Sequence, residues 1–299
     1  MNITLIGCGS LGRVFLYLLD KHCCNINIIT KNDYKNNFLE STVCTINGDV
    51  YSKKFITNSI DKLKTSDLIL LTVKANNVTQ IIKNLASKVS LFCPIVIICN
   101  GMGIEEELKT IKQPIIRGIT NHAAFTDDDI TFHKHHGIIT IGPVNEAGKS
   151  CKIIADRLNE LMGPVEWEPN IQAACWNKLA VNCVINPLTV KYDCLNGNLL
   201  IHKKEIVNIC TEIYEVMKKF IPIKGVSHLV SHILEMIYLT SKNSSSMRQD
   251  IIKKKKTEIE YMNGFILRCA SQLNITLPFN DALYKLVILK EQTYLNEGI

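Results

Sequence analysis

The chain has 299 residues, with 46% hydrophobic residues, 21% charged residues and a net charge of +6 at pH 7. This composition is that of a soluble globular protein with room for two domains. The modest positive charge suits small anionic ligands and does not demand nucleic acid. Twelve scattered cysteines without a C-x-x-C pair indicate neither a zinc site nor a disulfide scaffold, and we expect a reducing, cytoplasmic location.

The ends and hydropathy of the chain give two further expectations. Strand-like residues start at once, without a basic region or a cleavage site, so we expect no signal peptide. No apolar run approaches the ~20 residues of a membrane span, so we expect no membrane association.

The first thirty residues predict a dinucleotide-binding unit. The apolar run Ile3–Ile6 leads into the sequence GCGSLG, an amphipathic helical pattern and a second strand-like run at 26–30. In such a unit Gly7 permits the tight turn, Gly9 lets a pyrophosphate approach the backbone, and Gly12 lets the helix pack close to the strand. The helix N-terminus then offers free N–H groups to phosphates. The alternative is a strand-to-helix turn with packing glycines only.

The residue after the second strand selects the cofactor. NAD sites usually carry an acidic residue there, bonded to the ribose 2′-hydroxyl. This chain has Lys31 instead, which would attract a 2′-phosphate and favours NADPH. Asp33 nearby keeps NADH possible.

Apolar runs and helical patterns continue the predicted α/β architecture. Short strands are expected near 41–46 and 49–55, buried parallel strands at 67–73, 94–99 and 115–120, and helices from about 78 and 105. In open α/β sheets, ligands bind beyond the carboxyl ends of the strands. Gly9, Lys74, Asn100 and Ala124 follow such ends and are therefore candidate cofactor residues, although Asn100 could form only a turn.

Residues 129–132 and 137–141 predict an antiparallel pair of strands around Lys134. His133, His135 and His136 lie between or beside these runs. Because no carboxylate or cysteine is spaced to complete a coordination shell, we expect a polar hairpin tip and no metal site.

The pattern changes near residue 168. A helix at about 149–161 and an edge strand at 165–167 precede the change, and helical patterns alone follow it. We therefore expect a Rossmann-type dinucleotide-binding domain at 1–167 and an all-α domain at 168–299, which would supply the second wall of a cleft.

A polar stripe runs along the helix predicted at 171–186, which Pro187 should end. Lys178, Asn182 and Asn186 fall at i, i+4 and i+8 among apolar neighbours. Buried polar groups need partners, so the stripe indicates a ligand site. The alternatives are a solvent-facing stripe or hydrogen bonds between helices. A lysine beside a desolvated pocket has a lowered pKa and could protonate the oxygen formed when hydride adds to a carbonyl.

The stretch 243–250 predicts the start of a long helix that reaches about residue 273. Ser246 or a neighbour is the expected N-cap, with Gln249 three residues on, as in a capping box. A helix N-terminus rich in hydroxyls also suits a carboxylate substrate. Glu258, past a run of four lysines, can face the same cleft as the helix start.

Taken together, the motifs resemble those of the ketopantoate reductases (2-dehydropantoate 2-reductases), nearly from end to end. The matching segments are GCGSLG at 7–12, LTVKA at 71–75, CNGMG at 99–103, TNHAA at 120–124, WNKLAVNCVINPLT at 176–189, Asn196-Gly197, SSMRQD at 245–250 and TEIEYMNGF at 257–265.

The resemblance implies NADPH-dependent reduction of ketopantoate to pantoate, for pantothenate and coenzyme A biosynthesis. It implies that cofactor contacts come from Gly7, Cys8, Gly9, Ser10, Leu11, Gly12, Lys74, Asn100 and Ala124. Substrate contacts would come from Asn100, Lys178, Asn182, Asn186, Asn196 and Ser246. Lys178 would donate the proton, and Glu258 would hold the substrate hydroxyl or the cofactor side of the site. Lys31 stands where the family commonly has arginine; it keeps the charge but not the bidentate fork.

Two other functions remain open from the sequence. The chain could be a related dehydrogenase of another small keto or hydroxy acid, or an NADP(H)-binding regulator without catalysis. The intact lysine, asparagines, serine and glutamate argue against the regulator. We expect a monomer or homodimer that binds no nucleic acid.

Overall fold

The computed structural model describes residues 1–22, 24–30 and 37–295, and these form two compact units. The first unit combines Met1–Cys99 with Ile104–Ile171, and the second combines Asn100–Gly103 with Gln172–Ile299. The structure thus assigns a short internal segment to the second unit, which the sequence did not suggest. The predicted boundary between residues 167 and 168 stays a prediction.

The first unit alternates strands and helices. In chain order they are β1 (Asn2–Ile6), α1 (Ser10–Lys21), β2 (Asn25–Ile29), β3 (Phe38–Cys44), β4 (Val50–Ile56), β5 (Leu68–Leu71), α2 (Ala75–Leu85), β6 (Ile95–Ile98), α3 (Ile104–Glu107), β7 (Ile115–Thr120), β8 (Ala123–Asp127), β9 (Ile130–His135), β10 (Ile139–Pro143), α4 (Ile153–Met162) and β11 (Val165–Trp167).

A seven-stranded sheet in the order β11-β10-β7-β6-β5-β1-β2 forms the centre of this unit. Its pairs are parallel except for the antiparallel pair of β10 with β7. Every residue of β5 and β6 is buried, which explains their continuous apolar sequences. The mixed α/β architecture and the edge strand at 165–167 are confirmed.

The predicted hairpin of 129–132 with 137–141 is wrong. Strand β9 belongs to a second, four-stranded sheet in the order β4-β3-β9-β8, whereas β10 lies in the large sheet beside β7. The turn that reverses the chain is at Asp128 and Asp129, which both have positive φ and join β8 to β9. Such φ values are typical of tight hairpin turns.

The second unit is helical. Its helices are α5 (Ile171–Tyr192, whose first residue belongs to the first unit), α6 (Lys203–Met217), α7 (Val226–Leu239), α8 (Ser246–Ile252), α9 (Asn263–Gln272) and α10 (Pro278–Leu295). All eleven described strands lie in the first unit. Within the described ranges, no helix combines the length and hydropathy required to cross a membrane.

Two predicted helix limits in this unit are wrong. Pro187 does not end α5, which continues to Tyr192. A proline has no N–H to donate to the carbonyl four residues earlier, which here is that of Cys183. The side-chain amide of Asn263 donates to this carbonyl instead, at 3.0 Å. The predicted long helix from 243 to 273 is instead α8 and α9. The break lies in the run of four lysines, where Lys254 has φ 51°, a left-handed backbone conformation that a right-handed helix cannot include.

Candidate active site

The glycine turn follows β1 in the first unit as the sequence predicts. Gly7 has φ 95° and donates its N–H to Ile29 at 3.0 Å. A Cβ at Gly12 would overlap the carbonyl oxygen of Gly7 and lie 2.7 Å from Thr72 Oγ1. A Cβ at Gly9 would meet nothing within 4 Å. Gly7 and Gly12 are therefore required by the protein's own packing, whereas the space at Gly9 is available to a ligand.

The start of α1 supplies N–H groups rather than charged side chains. Its N-cap, Gly9, offers no side-chain hydrogen bond to the first turn. Ser10 Oγ lies 2.9 Å from Thr126 Oγ1, and Leu11 packs against the hydrophobic core. Burial, partly offset by the Arg13 charge, raises the pKa of Cys8 to about 12, so this thiol is neutral. The turn is thus an uncharged anion cradle.

Of the other predicted cofactor residues, Lys74 lies after a strand end as expected and Ala124 does not. Lys74 follows β5 and is the half-buried N-cap of α2. Ala124 lies inside β8, opposite His133, rather than in the loop directly after β7. Lys31, the predicted determinant of NADPH preference, lies outside the described residues.

Asn100 belongs to the second unit and contacts Glu258 there. Its Nδ2 donates to Glu258 Oε2 at 3.0 Å, and Glu258 is only 7% exposed. A Cβ at Gly101, whose φ is 77°, would overlap the carbonyl oxygen of Tyr261. Met102 N–H donates to that same oxygen at 2.8 Å. The glycine thus permits the close approach that sets Asn100 beside Glu258.

The polar stripe of α5 is largely withdrawn from water. Lys178 and Asn182 are half-buried, and Asn186 is 6% exposed. Asn186 Nδ2 donates to the sulfur of Met262 at 3.5 Å, a weak acceptor. The sequence left open that the stripe faces solvent, and for Asn186 this alternative is wrong.

Asn196 retains an unused hydrogen-bonding atom. The residue is 6% exposed and its Nδ2 donates to Thr240 Oγ1 at 3.0 Å. Its Oδ1 is buried without a hydrogen-bond partner among the described residues. A buried acceptor of this kind costs free energy unless a ligand donates to it.

The N-cap of α8 is Ser245, the neighbour of the serine that the sequence favoured. Ser245 Oγ accepts from Arg248 N–H at 3.0 Å and lies 2.6 Å from Thr189 Oγ1. Gln249 closes no capping box, because its side chain donates to the Ser244 carbonyl. Ser246 is exposed at the first position of the helix.

The sequence prediction missed one cluster. His122, which follows β7, joins His133 and His136 in the first unit, and His135 is not part of the group. Burial, and secondarily the neighbouring histidines, lower the pKa of His122 to about 3; burial also lowers that of His133. The sequence signal that could have revealed this cluster is the turn at Asp128 and Asp129, because a tight turn there brings β9 back alongside the segment that follows β7.

Models of one protein family match segments of both units. Residues 3–146 match the family model Ketopantoate reductase PanE/ApbA, and residues 170–291 match Ketopantoate reductase PanE/ApbA C terminal. A 2-dehydropantoate 2-reductase of Escherichia coli O157:H7 is 38% identical, covering 98% of this chain and 96% of that protein. One from Salmonella typhimurium is 36% identical, covering 100% and 98%.

Solved structures share the fold at lower identity. A D-mandelate dehydrogenase with NADH and anilino(oxo)acetate has a TM-score of 0.88 at 22% identity, covering 98% of this chain and 99% of that one. A PanE/ApbA family ketopantoate reductase from Ralstonia eutropha has a TM-score of 0.84 at 21% identity, covering 99% and 100%. On the family models and the sequence identities, the chain belongs to the ketopantoate reductase family.

Proposed function

We propose that the protein reduces 2-dehydropantoate (ketopantoate) to pantoate with NADPH, in pantothenate and coenzyme A biosynthesis. The observation that carries the proposal is the 38% identity to a 2-dehydropantoate 2-reductase over 98% of this chain. In support of it, Lys178 and two asparagines, to which we assign roles in the reaction, recur at four-residue intervals on one face of α5.

The glycine turn suits the pyrophosphate of a dinucleotide. The space at Gly9 lets an anion reach the backbone, and the first N–H groups of α1 have no side-chain cap. Lys74 and Ala124 would contact the rest of the nucleotide. Lys31 would favour the 2′-phosphate. When bound, NADPH supplies the hydride that adds to the keto carbon.

Lys178 is the proposed proton donor. As the hydride adds to the keto carbon, the carbon–oxygen double bond becomes a single bond and its electron pair moves to oxygen. The Lys178 ammonium gives a proton to that oxygen, which yields the hydroxyl of pantoate and a neutral amine that water reprotonates. Proton transfer of this kind typically contributes ~10²–10⁴ in rate.

The remaining polar groups would hold the substrate. The unpartnered Oδ1 of Asn196 can accept a hydrogen bond from a hydroxyl of ketopantoate. Asn182, Asn186 and Ser246 would bind its carboxylate and keto oxygens. Glu258, whose carboxylate accepts a hydrogen bond from Asn100, would hold the hydroxyl that ketopantoate already carries, or the cofactor side of the site.

Steady-state kinetics with ketopantoate and a panel of other 2-keto acids test this function, with loss of NADPH absorbance as the signal. We expect the highest kcat/KM for ketopantoate with NADPH. A higher value for another 2-keto acid would identify a related dehydrogenase. NADPH binding without turnover of any keto acid would identify a regulator.

We further propose a cytoplasmic protein that is a monomer or homodimer. No disulfide bond joins the eleven cysteines within the described ranges, in keeping with a reducing compartment. A ketopantoate reductase from Staphylococcus aureus with the same fold is described as dimeric. Light scattering at working concentration would distinguish the two assemblies.

A further inference from the structure

Three imidazoles meet in the first unit. They come from His122 after β7, His133 in β9 and His136 in the connection to β10. One ring nitrogen from each lies within 4.8 Å of the other two. The closest pair is His122 Nδ1 and His133 Nε2, at 3.0 Å. The three side chains thus converge on one point from separate segments.

Hydrogen bonding among the histidines does not satisfy them. The bond between His122 and His133 uses one nitrogen of each ring. The other nitrogen of His122, Nε2, is buried and has no hydrogen-bond partner in the part of the chain that the structure describes. His133 also bonds the backbone of His135. Metal-ligating histidines commonly hold their second nitrogen by a hydrogen bond, as His133 does with His135, whereas Nε2 of His122 has no such bond among the described residues.

Two glycines lie beside residues of this cluster. A Cβ at Gly163, whose φ is 90°, would lie 2.7 Å from Cε1 and Nε2 of His136. A Cβ at Gly137 would overlap the backbone of His122. Gly163 therefore permits the close approach of its backbone to the His136 ring, and Gly137 permits the close approach of its backbone to the peptide of Asn121 and His122.

We propose that His122, His133 and His136 bind one divalent transition-metal ion of the zinc class, with water as the fourth ligand. Metal–nitrogen bonds of ~2.0–2.1 Å in a tetrahedral site place neighbouring ligands about 3.3 Å apart, close to the 3.0 Å found here. Borderline ions such as Zn²⁺, Co²⁺ and Ni²⁺ accept imidazole, whereas Mg²⁺ and Ca²⁺ require oxygen.

The test uses the full-length protein after treatment with a chelator. Calorimetric titration with Zn²⁺ should show saturable binding of one ion per chain, and Tm should rise with Zn²⁺ but not with Mg²⁺. His136→Ala should abolish this binding. His136 is exposed, so its removal leaves the core intact. His135→Ala is the matched control and should bind as the unmodified protein does, because His135 is equally exposed and outside the cluster.

Co²⁺ spectra distinguish binding at the imidazole site from binding by cysteine thiols. We expect tetrahedral ligand-field bands without thiolate-to-cobalt charge transfer, lost in His136→Ala and kept in His135→Ala. No saturable binding, equal binding by His136→Ala, or a thiolate charge-transfer band on the saturating ion would each overturn the proposal. The readouts are independent of reductase turnover, so the site can fail while the proposed function holds.

Discussion

The glycine turn of the first unit and the polar face of α5 in the second differ in the groups that form them. The turn consists of backbone, and Gly7 and Gly12 are needed because a Cβ would meet atoms of the protein itself. The α5 face consists of side chains, and Asn186 meets a group far away in sequence, the Met262 sulfur. A backbone site can thus be recognised from glycine spacing alone, whereas a side-chain site depends on partners that only the folded chain supplies.

The largest expected effect tests the side-chain site. Lys178→Ala should lower turnover with ketopantoate by about two to four powers of ten, since it removes the proposed proton donor. NADPH affinity should change little if the glycine turn is the main cofactor site. Lys204→Ala, at an exposed lysine of α6, is the control and should leave turnover unchanged. An unchanged turnover number in Lys178→Ala would exclude this residue as the acid.

The next effect concerns cofactor choice. Lys31→Glu should weaken NADPH binding by about ten- to hundredfold, because a charge-assisted hydrogen bond to the 2′-phosphate is worth ~1.5–3 kcal/mol. NADH binding should change far less, and Lys31→Arg should preserve the preference. Paired Michaelis constants for the two cofactors measure this. Equal losses for both would refute the role of Lys31.

Two glycine variants sharpen the distinction between packing and ligand space. Gly12→Ala should lower the free energy of unfolding by about 1–3 kcal/mol, since its methyl group overlaps the Gly7 carbonyl. Gly9→Ala should leave Tm nearly unchanged, because no protein atom lies within 4 Å of the added Cβ, and should weaken NADPH binding, because the proposed pyrophosphate site occupies that space. Thermal unfolding and cofactor titration separate the two. Normal NADPH affinity in Gly9→Ala would mean that the pyrophosphate lies elsewhere.

The smallest effect comes from adjacent serines in the second unit. Ser245→Ala should cost about 1 kcal/mol of stability by removing the α8 cap and the contact with Thr189. Ser246→Ala should leave stability unchanged and raise the KM for ketopantoate. Denaturant unfolding and steady-state kinetics would show this division. A stability loss in Ser246→Ala that equals that of Ser245→Ala would contradict the assignment of the cap.

Local sequence predicted the strands well and their partners poorly. The apolar runs that became β5, β6 and β7 were recognised because burial on both faces leaves an unmistakable pattern. Strands β9 and β10 were wrongly paired with each other, because partners are chosen across the whole sheet. The same limit hid the histidine cluster, since His122 approaches His133 only after β8 and β9 pair.

Helix limits failed for a related reason. Pro187 predicts a helix end whenever no other donor reaches the Cys183 carbonyl, and Asn263, many residues later in the sequence, provides that donor. Candidate site residues could be named from their types and spacing, and they stay a prediction, but the hydrogen bonds that they make could not be foreseen. Nothing local indicated that Asn100 would bond Glu258 or that Asn196 would keep an unused oxygen.

The amide of Asn263 has an evolutionary consequence. Because this amide lets α5 continue past Pro187, Thr189 lies on the same continuous helix as Lys178. Thr189 also contacts Ser245, the serine that caps α8. A mutation at position 263 could therefore change the spacing of the proposed substrate-binding side chains without replacing any of them. Homologues that diverge in substrate choice need not differ at any residue that touches the substrate, and comparison of such enzymes should extend to buried positions like this one.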